Sequence, residues 1–241
     1  MDYSIQLYSV RDAVQENMDE TLKKIAEIGY KYVEPAGFFG HSADEVRAML
    51  DKYGLKVSGT HTGWKALRDD YEGTVAYHKT IGTDMIIIPN VDASTREKLD
   101  EFIDFINEVQ PRLKKDGMRL AFHNHSREFV LTSYGECIHK ELAERTNIEF
   151  EIDTYWAFNA GVDPIAILER LKDRVHFIHV KDGMKGTGKG KPLGHGEAPV
   201  ADVYAKAVEL GLQMVVESET QDPDGITEAQ ICFDYLKSLE E

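Results

Sequence analysis

The sequence predicts an α/β fold of the (β/α)8 TIM barrel class, in which eight parallel strands alternate with helices. The first observation is a repeated unit in which an amphipathic helix ends at a turn residue and a short apolar strand follows. The second is that the strands are continuously apolar, as is typical of a parallel sheet covered on both faces. The third is the length of 241 residues, which suits eight such units in one domain. We therefore predict a single domain over residues 1–241.

Eight segments are predicted as strands. The first, YSIQLYS, has no helix before it. The other seven follow helix ends and are AEIGYKYVEP, DKYGLKVSGTH, KTIGTDMIIIP, KKDGMRLAFHNH, ERTNIEFEID, KDRVHFIHVKD and VELGLQMVVESE. Five of them carry a glycine where the helix ends (Gly29, Gly54, Gly82, Gly117 and Gly211), a place where φ is often positive and glycine is favoured.

The segments between the strands have helical periodicity. Leu99, Ile103 and Ile106 form one apolar stripe, and Ser42 with Glu45 forms a capping box before the third helical segment. A doubly wound open sheet is the alternative fold, but no GxGxxG motif follows the first strand. The barrel is therefore favoured.

Composition and charge limit the classes of partner. The formal net charge of −15 argues against general binding to nucleic acid or to an anionic membrane. Cys137 and Cys232 are the only cysteines and have no metal-ligand spacing, which suggests free thiols in a reducing compartment. No signal peptide or transmembrane segment is evident, so we expect a cytoplasmic protein.

Polar side chains collect at the carboxyl ends of the predicted strands, where the sites of TIM barrels lie. They are Gln6, Glu34, His61, Asn90, His123, His125, Asp153, His179, Lys181, Glu217 and Glu219. Residues two apart in a strand share a face, so His123 and His125 can both face the barrel interior. Each residue alone has a structural explanation, and Asp153 also suits the N-cap of the next helix. Together they indicate a divalent cation, because burying so many unpaired polar groups is costly and mixed imidazoles and carboxylates suit Mn²⁺, Co²⁺, Zn²⁺ or Fe²⁺.

A glycine-rich segment, Gly183 to Gly196, follows the seventh strand. It partly matches the GxxxxGK pattern, but Gly190 stands where a P-loop has Ser or Thr, and no helix begins there. We predict a long irregular loop that is mobile without ligand. It is either a lid over the site or an idle surface loop.

The motifs IQLYSVR, GYKYVEP, LAFHNHSREF, EIDTYW, FIHVKDG and VVESE, in this order, resemble the sugar phosphate isomerase/epimerase family of the xylose-isomerase-like TIM-barrel superfamily. The resemblance spans the chain. It implies a metal at the barrel mouth, with Mn²⁺ first and Co²⁺, Zn²⁺, Fe²⁺ or Mg²⁺ as alternatives. The implied ligands on the sixth to eighth strands are Asp153, His179 and Glu217. His123 stands where the family has a glutamate on the fifth strand and is predicted as the fourth ligand, with His125, or neither histidine, as the alternatives.

This resemblance implies a metal-dependent isomerase or epimerase of carbohydrate metabolism. Such an enzyme removes a proton α to a carbonyl of a sugar or keto-sugar through a metal-stabilised enediolate. A dehydratase or lyase acting on an inosose or a 3-keto-glycoside at the same site is one alternative, and a non-catalytic sugar-binding relative is another. The superfamily also has a DNA-repair endonuclease branch, but the acidic composition disfavours it.

Individual roles follow from these chemical requirements. A base must reach the α-carbon, and His125 is the first candidate, followed by Glu34 and His61. Lys181, Trp156 and Glu219 are predicted to contact the substrate. The predicted partner is a small sugar or keto-sugar. Relatives of this kind are often dimers or tetramers, so a homo-oligomer is an open prediction.

Overall fold

The structure is a computed structural model that describes residues 1–240. The strands are β1 (Ser4–Gln6), β2 (Tyr32–Glu34), β3 (Lys56–Val57), β4 (Thr60–His61), β5 (Met85–Ile88), β6 (Arg119–His123), β7 (Glu149–Asp153), β8 (Val175–Val180), β9 (Asp182–Met184), β10 (Lys189–Lys191) and β11 (Gln213–Val216). The α-helices are α1 (Arg11–Glu16), α2 (Met18–Ile28), α3 (Ala43–Tyr53), α4 (Trp64–Asp69), α5 (Tyr71–Ile81), α6 (Arg96–Lys115), α7 (Ile138–Arg145), α8 (Thr154–Asn159), α9 (Pro164–Leu171), α10 (Val200–Leu210) and α11 (Gly225–Ser238). Within residues 1–240, no helix is long and apolar enough to span a lipid bilayer.

Nine of the strands form one parallel sheet in the order β3-β2-β1-β11-β8-β7-β6-β5-β4. Its two edge strands, β3 and β4, are consecutive in the chain and are separated only by Ser58 and Gly59, so the sheet closes almost completely into a barrel. The seam is fastened by the His61 amide, which donates a hydrogen bond of 2.8 Å to the Pro35 carbonyl. The predicted (β/α)8 TIM barrel is confirmed, with its third strand divided into two short pieces.

Gly59 lies in the break between β3 and β4, close to a side chain of β5. A Cβ at this position would lie 2.6 Å from Cδ1 of Ile87 on β5. A side chain at position 59 would have to displace the end of the Ile87 side chain, so glycine permits the closest approach of the backbone to β5.

The predicted helix boundaries agree with the local chemistry. Gly54, Gly82 and Gly211 end α3, α5 and α10 with φ values of 67°, 88° and 67°. The Ser42 amide donates to Oε2 of Glu45 at 2.8 Å, and the Glu45 amide donates to Oγ of Ser42 at 3.3 Å, so the capping box before α3 is confirmed.

The barrel interior is apolar towards the amino ends of its strands and polar towards their carboxyl ends. In the apolar part of the interior, Met85, Ile87 and Ala121 pack together, with Phe177 against them. The larger hydrophobic core lies outside the sheet, beneath the helices, where Phe102 of α6 packs on Phe122 of β6. The outer core stabilises the barrel, which leaves the upper interior free for polar chemistry.

The glycine-rich segment after β8 is not the irregular loop that the sequence suggested. β9 and β10 pair as an antiparallel hairpin. The Asp182 carboxylate accepts backbone N–H bonds from Gly183, Gly194, Gly196 and Ala198 at 2.7 to 3.0 Å, which fixes the base of the hairpin. The glycine-rich composition alone suggested an irregular loop. It gave no sign that one carboxylate would bind several backbone amides of the segment at once. Whether the hairpin moves when substrate binds stays a prediction.

Candidate active site

Four side chains at the carboxyl ends of the strands form what we call the mouth cluster: His123, Asp153, His179 and Glu217. Each offers one ligand atom, and these four atoms all lie within 4.8 Å of one another. Nδ1 of His179 is 3.1 Å from Oε2 of Glu217 and 3.9 Å from Oδ2 of Asp153, and Nε2 of His123 is 3.6 Å from the same Asp153 oxygen. All four side chains are buried. The four residues predicted as metal ligands therefore converge on one point.

Strand register brings these residues to one level. Asp153 of β7 pairs with His179 of β8, and Val215 of β11, two residues before Glu217, also pairs with His179. Because alternate residues of a strand share a face, the side chains of Asp153, His179 and Glu217 all point into the barrel.

Some buried polar atoms of the mouth cluster have no hydrogen-bond partner. Such atoms are expected where a cation binds. Among residues 1–240, both ring nitrogens of His123 and Oδ2 of Asp153 are buried without a hydrogen bond. The other Asp153 oxygen, Oδ1, accepts a hydrogen bond from the Trp156 amide at 2.8 Å, so Asp153 is the N-cap of α8 and still presents Oδ2 to the mouth cluster. Burial raises the pKa of Asp153 to about 6. Lone pairs left in this way suit a divalent cation with mixed nitrogen and oxygen ligands.

A second group, which we call the lower cluster, lies on the other side of the His179 ring. Its members are Glu34, His61, Glu151 and His179 itself. Nε2 of His179 is 2.8 Å from Oε1 of Glu34 and 3.1 Å from Oε2 of Glu151. Nε2 of His61 is 3.2 Å and 2.9 Å from the same two oxygens. Burial, together with the charge of Glu151, raises the pKa of Glu34 to about 7.

The sequence analysis missed Glu151. It lies two residues before Asp153 on β7, so strand alternation alone places it on the interior face. It is fully buried, with one oxygen, Oε1, that has no partner among the described residues. Glu151 was not predicted because it lies two residues before the end of β7, whereas the predicted site residues lie at the strand ends.

Lys181 brings a buried ammonium to the edge of the mouth cluster. Its Nζ lies 3.1 Å from Oε2 of Glu217, 3.1 Å from Oε1 of Glu219 and 4.7 Å from the centroid of the Trp156 ring. Burial alone lowers the pKa of Lys181, but Glu217, Asp153 and Glu219 outweigh it and raise the pKa above its usual value. Lys181 is therefore a fixed positive charge.

His125 lies beside the mouth cluster and outside its set of ligand atoms. Its ring centroid is 5.0 Å from that of His123 and 5.9 Å from that of Trp156. Its Nδ1 is buried without a partner in residues 1–240. Burial, reinforced by the neighbouring His123, lowers the pKa of His125 to about 4. The imidazole is consequently uncharged at neutral pH.

A cavity of about 470 Å³ opens above both clusters. Five of the predicted site residues line it, namely His61, His123, His125, Glu217 and Glu219. Tyr8, Ala36, Gly37, Pro89 and Asn90 complete the lining. The other five predicted site residues are not part of this lining. Glu34, Asp153, His179 and Lys181 are buried behind it, and Trp156 is half-buried beside Lys181 and His125. The cavity is large enough for a sugar ring, with the mouth cluster at its floor.

Residues 22–239 match the family model of the xylose isomerase-like TIM barrel. The chain belongs to this family. The xylose isomerase-like fold, suggested by the motifs at the strand ends, is thereby confirmed over nearly the whole chain.

Relatives of this xylose isomerase-like protein are named as sugar-processing enzymes. An inosose dehydratase of Geobacillus kaustophilus is 23% identical over 92% of this chain and 87% of its own length. A 2-oxo-tetronate isomerase of Haemophilus influenzae is 26% identical over 65% of this chain and 70% of its own length. The crystal structure of a sugar phosphate isomerase/epimerase from Parabacteroides distasonis superposes with a TM-score of 0.82 at 21% identity, covering 98% of this chain and 93% of that one. At this identity the structural likeness demonstrates the fold alone.

Proposed function

We propose that the protein is a metal-dependent enzyme that removes the proton α to the carbonyl of a sugar or keto-sugar, in the manner of sugar isomerases and epimerases. The observation that carries this proposal is the mouth cluster. Its two imidazoles and two carboxylates, with buried unpartnered lone pairs, lie at the floor of a cavity of sugar size. A divalent cation held by His123, Asp153, His179 and Glu217 would act as a Lewis acid on a substrate carbonyl.

His125 is our candidate for the base. It lines the cavity and is not needed to complete the mouth cluster. Because its pKa is lowered, the imidazole is uncharged and has a lone pair for a proton. Return of that proton to the neighbouring carbon would isomerise the substrate. Epimerisation would instead require a second group to deliver a proton to the opposite face of the same carbon. His61, which also lines the cavity, is the second candidate.

Lys181, Glu219 and Trp156 are our candidates for binding and orienting the substrate. Glu219 lines the cavity and can accept a hydrogen bond from a substrate hydroxyl, and Lys181, which lies behind it, holds that carboxylate in place through a contact of 3.1 Å. The half-buried Trp156 ring lies beside Lys181 and His125, 4.7 Å from the Lys181 Nζ and 5.9 Å from the His125 ring centroid, and so helps to position both side chains. Orientation by such groups supports a reaction in which the α-carbon must lie close to the base.

Dehydration is the second candidate function, because the Geobacillus kaustophilus relative that covers 92% of this chain is named an inosose dehydratase. The first step would be the same proton removal. The enediolate would then expel a hydroxyl group from the β-carbon instead of taking the proton back. The products therefore separate the two candidates.

Metal analysis tests the cation. We expect about one divalent ion per chain, as one four-ligand cluster allows. Asp153→Asn and Glu217→Gln should lose it. Asp163→Asn is the matched control, because Asp163 caps α9 as Asp153 caps α8 but lies outside both clusters. Full metal content in both cluster variants would refute the ligand assignment.

Deuterium exchange tests the base. Ketoses, inososes and 3-keto-glycosides would be incubated in D₂O with protein loaded with Mn²⁺, Zn²⁺ or Mg²⁺ and followed by NMR. His125→Ala should keep its metal and lose about 10²–10⁴-fold in α-proton exchange, whereas the exposed His176→Ala should change neither. Exchange at the normal rate in His125→Ala would move the base to His61. Loss of metal in His125→Ala would make His125 a ligand.

The same spectra identify the reaction class. An isomer or epimer supports the first candidate, and an unsaturated or deoxygenated keto product supports the dehydratase. Metal binding with no exchange on any of these substrates would favour a non-catalytic sugar-binding protein. Light scattering would test the predicted homo-oligomer.

A further inference from the structure

The two nitrogens of the His179 ring face different surroundings. Nδ1 faces the mouth cluster, where it lies 3.1 Å from Oε2 of Glu217. Nε2 faces the lower cluster, where it lies 2.8 Å from Oε1 of Glu34 and 3.1 Å from Oε2 of Glu151. The rings and carboxylates of His179, Glu34 and Glu151 have no exposure to solvent. Water therefore cannot replace either carboxylate as the partner of Nε2.

A neutral imidazole carries one proton, on either of its nitrogens, and only the other nitrogen has a lone pair. An ionised carboxylate can only accept a hydrogen bond, so Oε2 of Glu151, at 3.1 Å, favours a proton on Nε2. Nδ1 also lies 3.1 Å from a carboxylate oxygen, that of Glu217, but a cation bound there would need the lone pair of Nδ1 and would leave the proton on Nε2. Histidine ligands of metals commonly donate their other N–H to such a carboxylate, which fixes both the tautomer and the orientation of the ring.

We propose that Glu34 and Glu151 are positioning residues that hold the Nε2–H of His179 and so present its Nδ1 lone pair to a divalent cation in the mouth cluster. This inference rests on the proposed function, because it requires the cation. Glu34 does not reach the cavity lining, and under this proposal it positions His179 and does not act as a base. Glu151, which the sequence analysis missed, has the same task.

The lower cluster is braced so that its carboxylates stay in place. Nε2 of His61 contacts the same two oxygens at 3.2 and 2.9 Å, and its ring is nearly parallel to that of His179, with an angle of 12° between them. The Gln6 amide donates to Oε1 of Glu34 at 2.6 Å. Glu151 has no such additional donor besides the two imidazoles among the described residues. Its replacement should therefore disturb His179 most directly.

A graded series at position 151 tests the proposal. Glu151→Gln keeps an acceptor oxygen of the same reach, and Glu151→Leu removes it. Metal affinity, measured for Mn²⁺ and Zn²⁺ by competition with a fluorescent chelator, should fall by about 10- to 100-fold in Glu151→Leu, and by less in Glu151→Gln. Glu34→Gln should also weaken binding. Glu149→Gln, on the same strand near the amino end, is the control and should bind as the unchanged protein does.

Histidine ¹⁵N NMR of the Zn²⁺-loaded protein supplies a second readout that a purely structural role would not move. The chain has nine histidines, and a His179→Gln variant assigns the signal. The unchanged protein should have the Nε2–H form of His179. Glu151→Leu, or Glu151→Gln if the leucine variant does not fold, should have a changed His179 signal and an unchanged signal from the distant His139.

The outcomes separate this inference from the proposed function. If the unchanged protein binds no divalent cation, the proposed function fails and this inference fails with it. If it binds one cation, and the folded Glu151 and Glu34 variants bind it equally well, only the positioning role is refuted. If it binds two cations and Glu151→Gln loses one of them, the lower cluster is itself a cation site, and the positioning role is likewise refuted.

Discussion

His139 provides a test of the fold that does not depend on the site. It lies in α7 with its ring between Phe129 and Phe150, at centroid distances of 4.5 and 4.8 Å. Burial, together with the charges of Arg170 and Arg174, lowers the pKa of His139 from 6.5 to about 3. Its Nε2 is buried without a partner among residues 1–240. His139→Phe keeps an aromatic ring between the two phenylalanines and removes the titration.

The size of the effect follows from proton linkage. Between pH 6.5 and about 3 the unfolded chain protonates this histidine and the folded chain does not, so the unfolded state binds one more proton and stability falls as the pH is lowered. At pH 5.0, about 1.5 pH units below the unfolded value and at 1.36 kcal/mol per unit, the penalty is about 2 kcal/mol. At pH 7.5 it is close to zero.

Urea unfolding, followed by circular dichroism at pH 7.5 and pH 5.0 with chelator present, measures the difference. We expect His139→Phe to be as stable as the unchanged protein or more so at pH 7.5, because no hydrogen bond of Nε2 is lost. At pH 5.0 its advantage should grow by about 2 kcal/mol. Other titrating groups are common to both proteins and cancel. An advantage that is the same at both pH values would refute the buried, neutral state of His139.

Three further predictions concern local structure. Asp182→Asn keeps only one acceptor oxygen for the four amides at the base of the β9–β10 hairpin, so limited trypsin digestion should cut the hairpin faster; an unchanged rate would mean that the carboxylate does not hold it. Gly29→Ala combines a φ of 125° with a Cβ 2.6 Å from the Phe233 ring and should destabilise the fold by about 1–3 kcal/mol in urea. Ser42→Ala removes the cap of α3 and should cost about 1 kcal/mol, with unchanged metal content as evidence that the site is intact.

The fold could be predicted because its cause is local and repeated. Each helix ends at a residue that stops it, and each strand is apolar on both faces because helices and barrel interior cover it. Local chemistry, such as the capping box at Ser42 and the left-handed φ at Gly54, depends on a few neighbouring residues. These features could therefore be predicted correctly without knowledge of contacts between distant segments.

The seam and the hairpin could not be predicted in the same way. The third strand is divided at Ser58 and Gly59, and Gly59 lies against Ile87 of another strand. The β9–β10 hairpin is held by the Asp182 carboxylate and by the Tyr155 hydroxyl, whose single hydrogen can be donated to, or shared between, the carbonyls of Met184 and Lys189 at 3.1 and 3.2 Å. In both cases the deciding contact joins segments that are separate in the sequence.

The sequence by itself determined which residues face the barrel interior, because alternation along a strand is a property of the strand alone. Alternation placed the four residues of the mouth cluster at the barrel mouth together with seven others, and the family resemblance then implied Asp153, His179 and Glu217 as metal ligands, with His123 predicted as the fourth. Only the tertiary structure decided at which height each side chain stands, because the stagger between neighbouring strands depends on how the whole sheet closes. That stagger places Asp153 level with His179 and puts Glu151 beneath them, so one histidine ring has a mouth cluster on one side and a pair of carboxylates on the other.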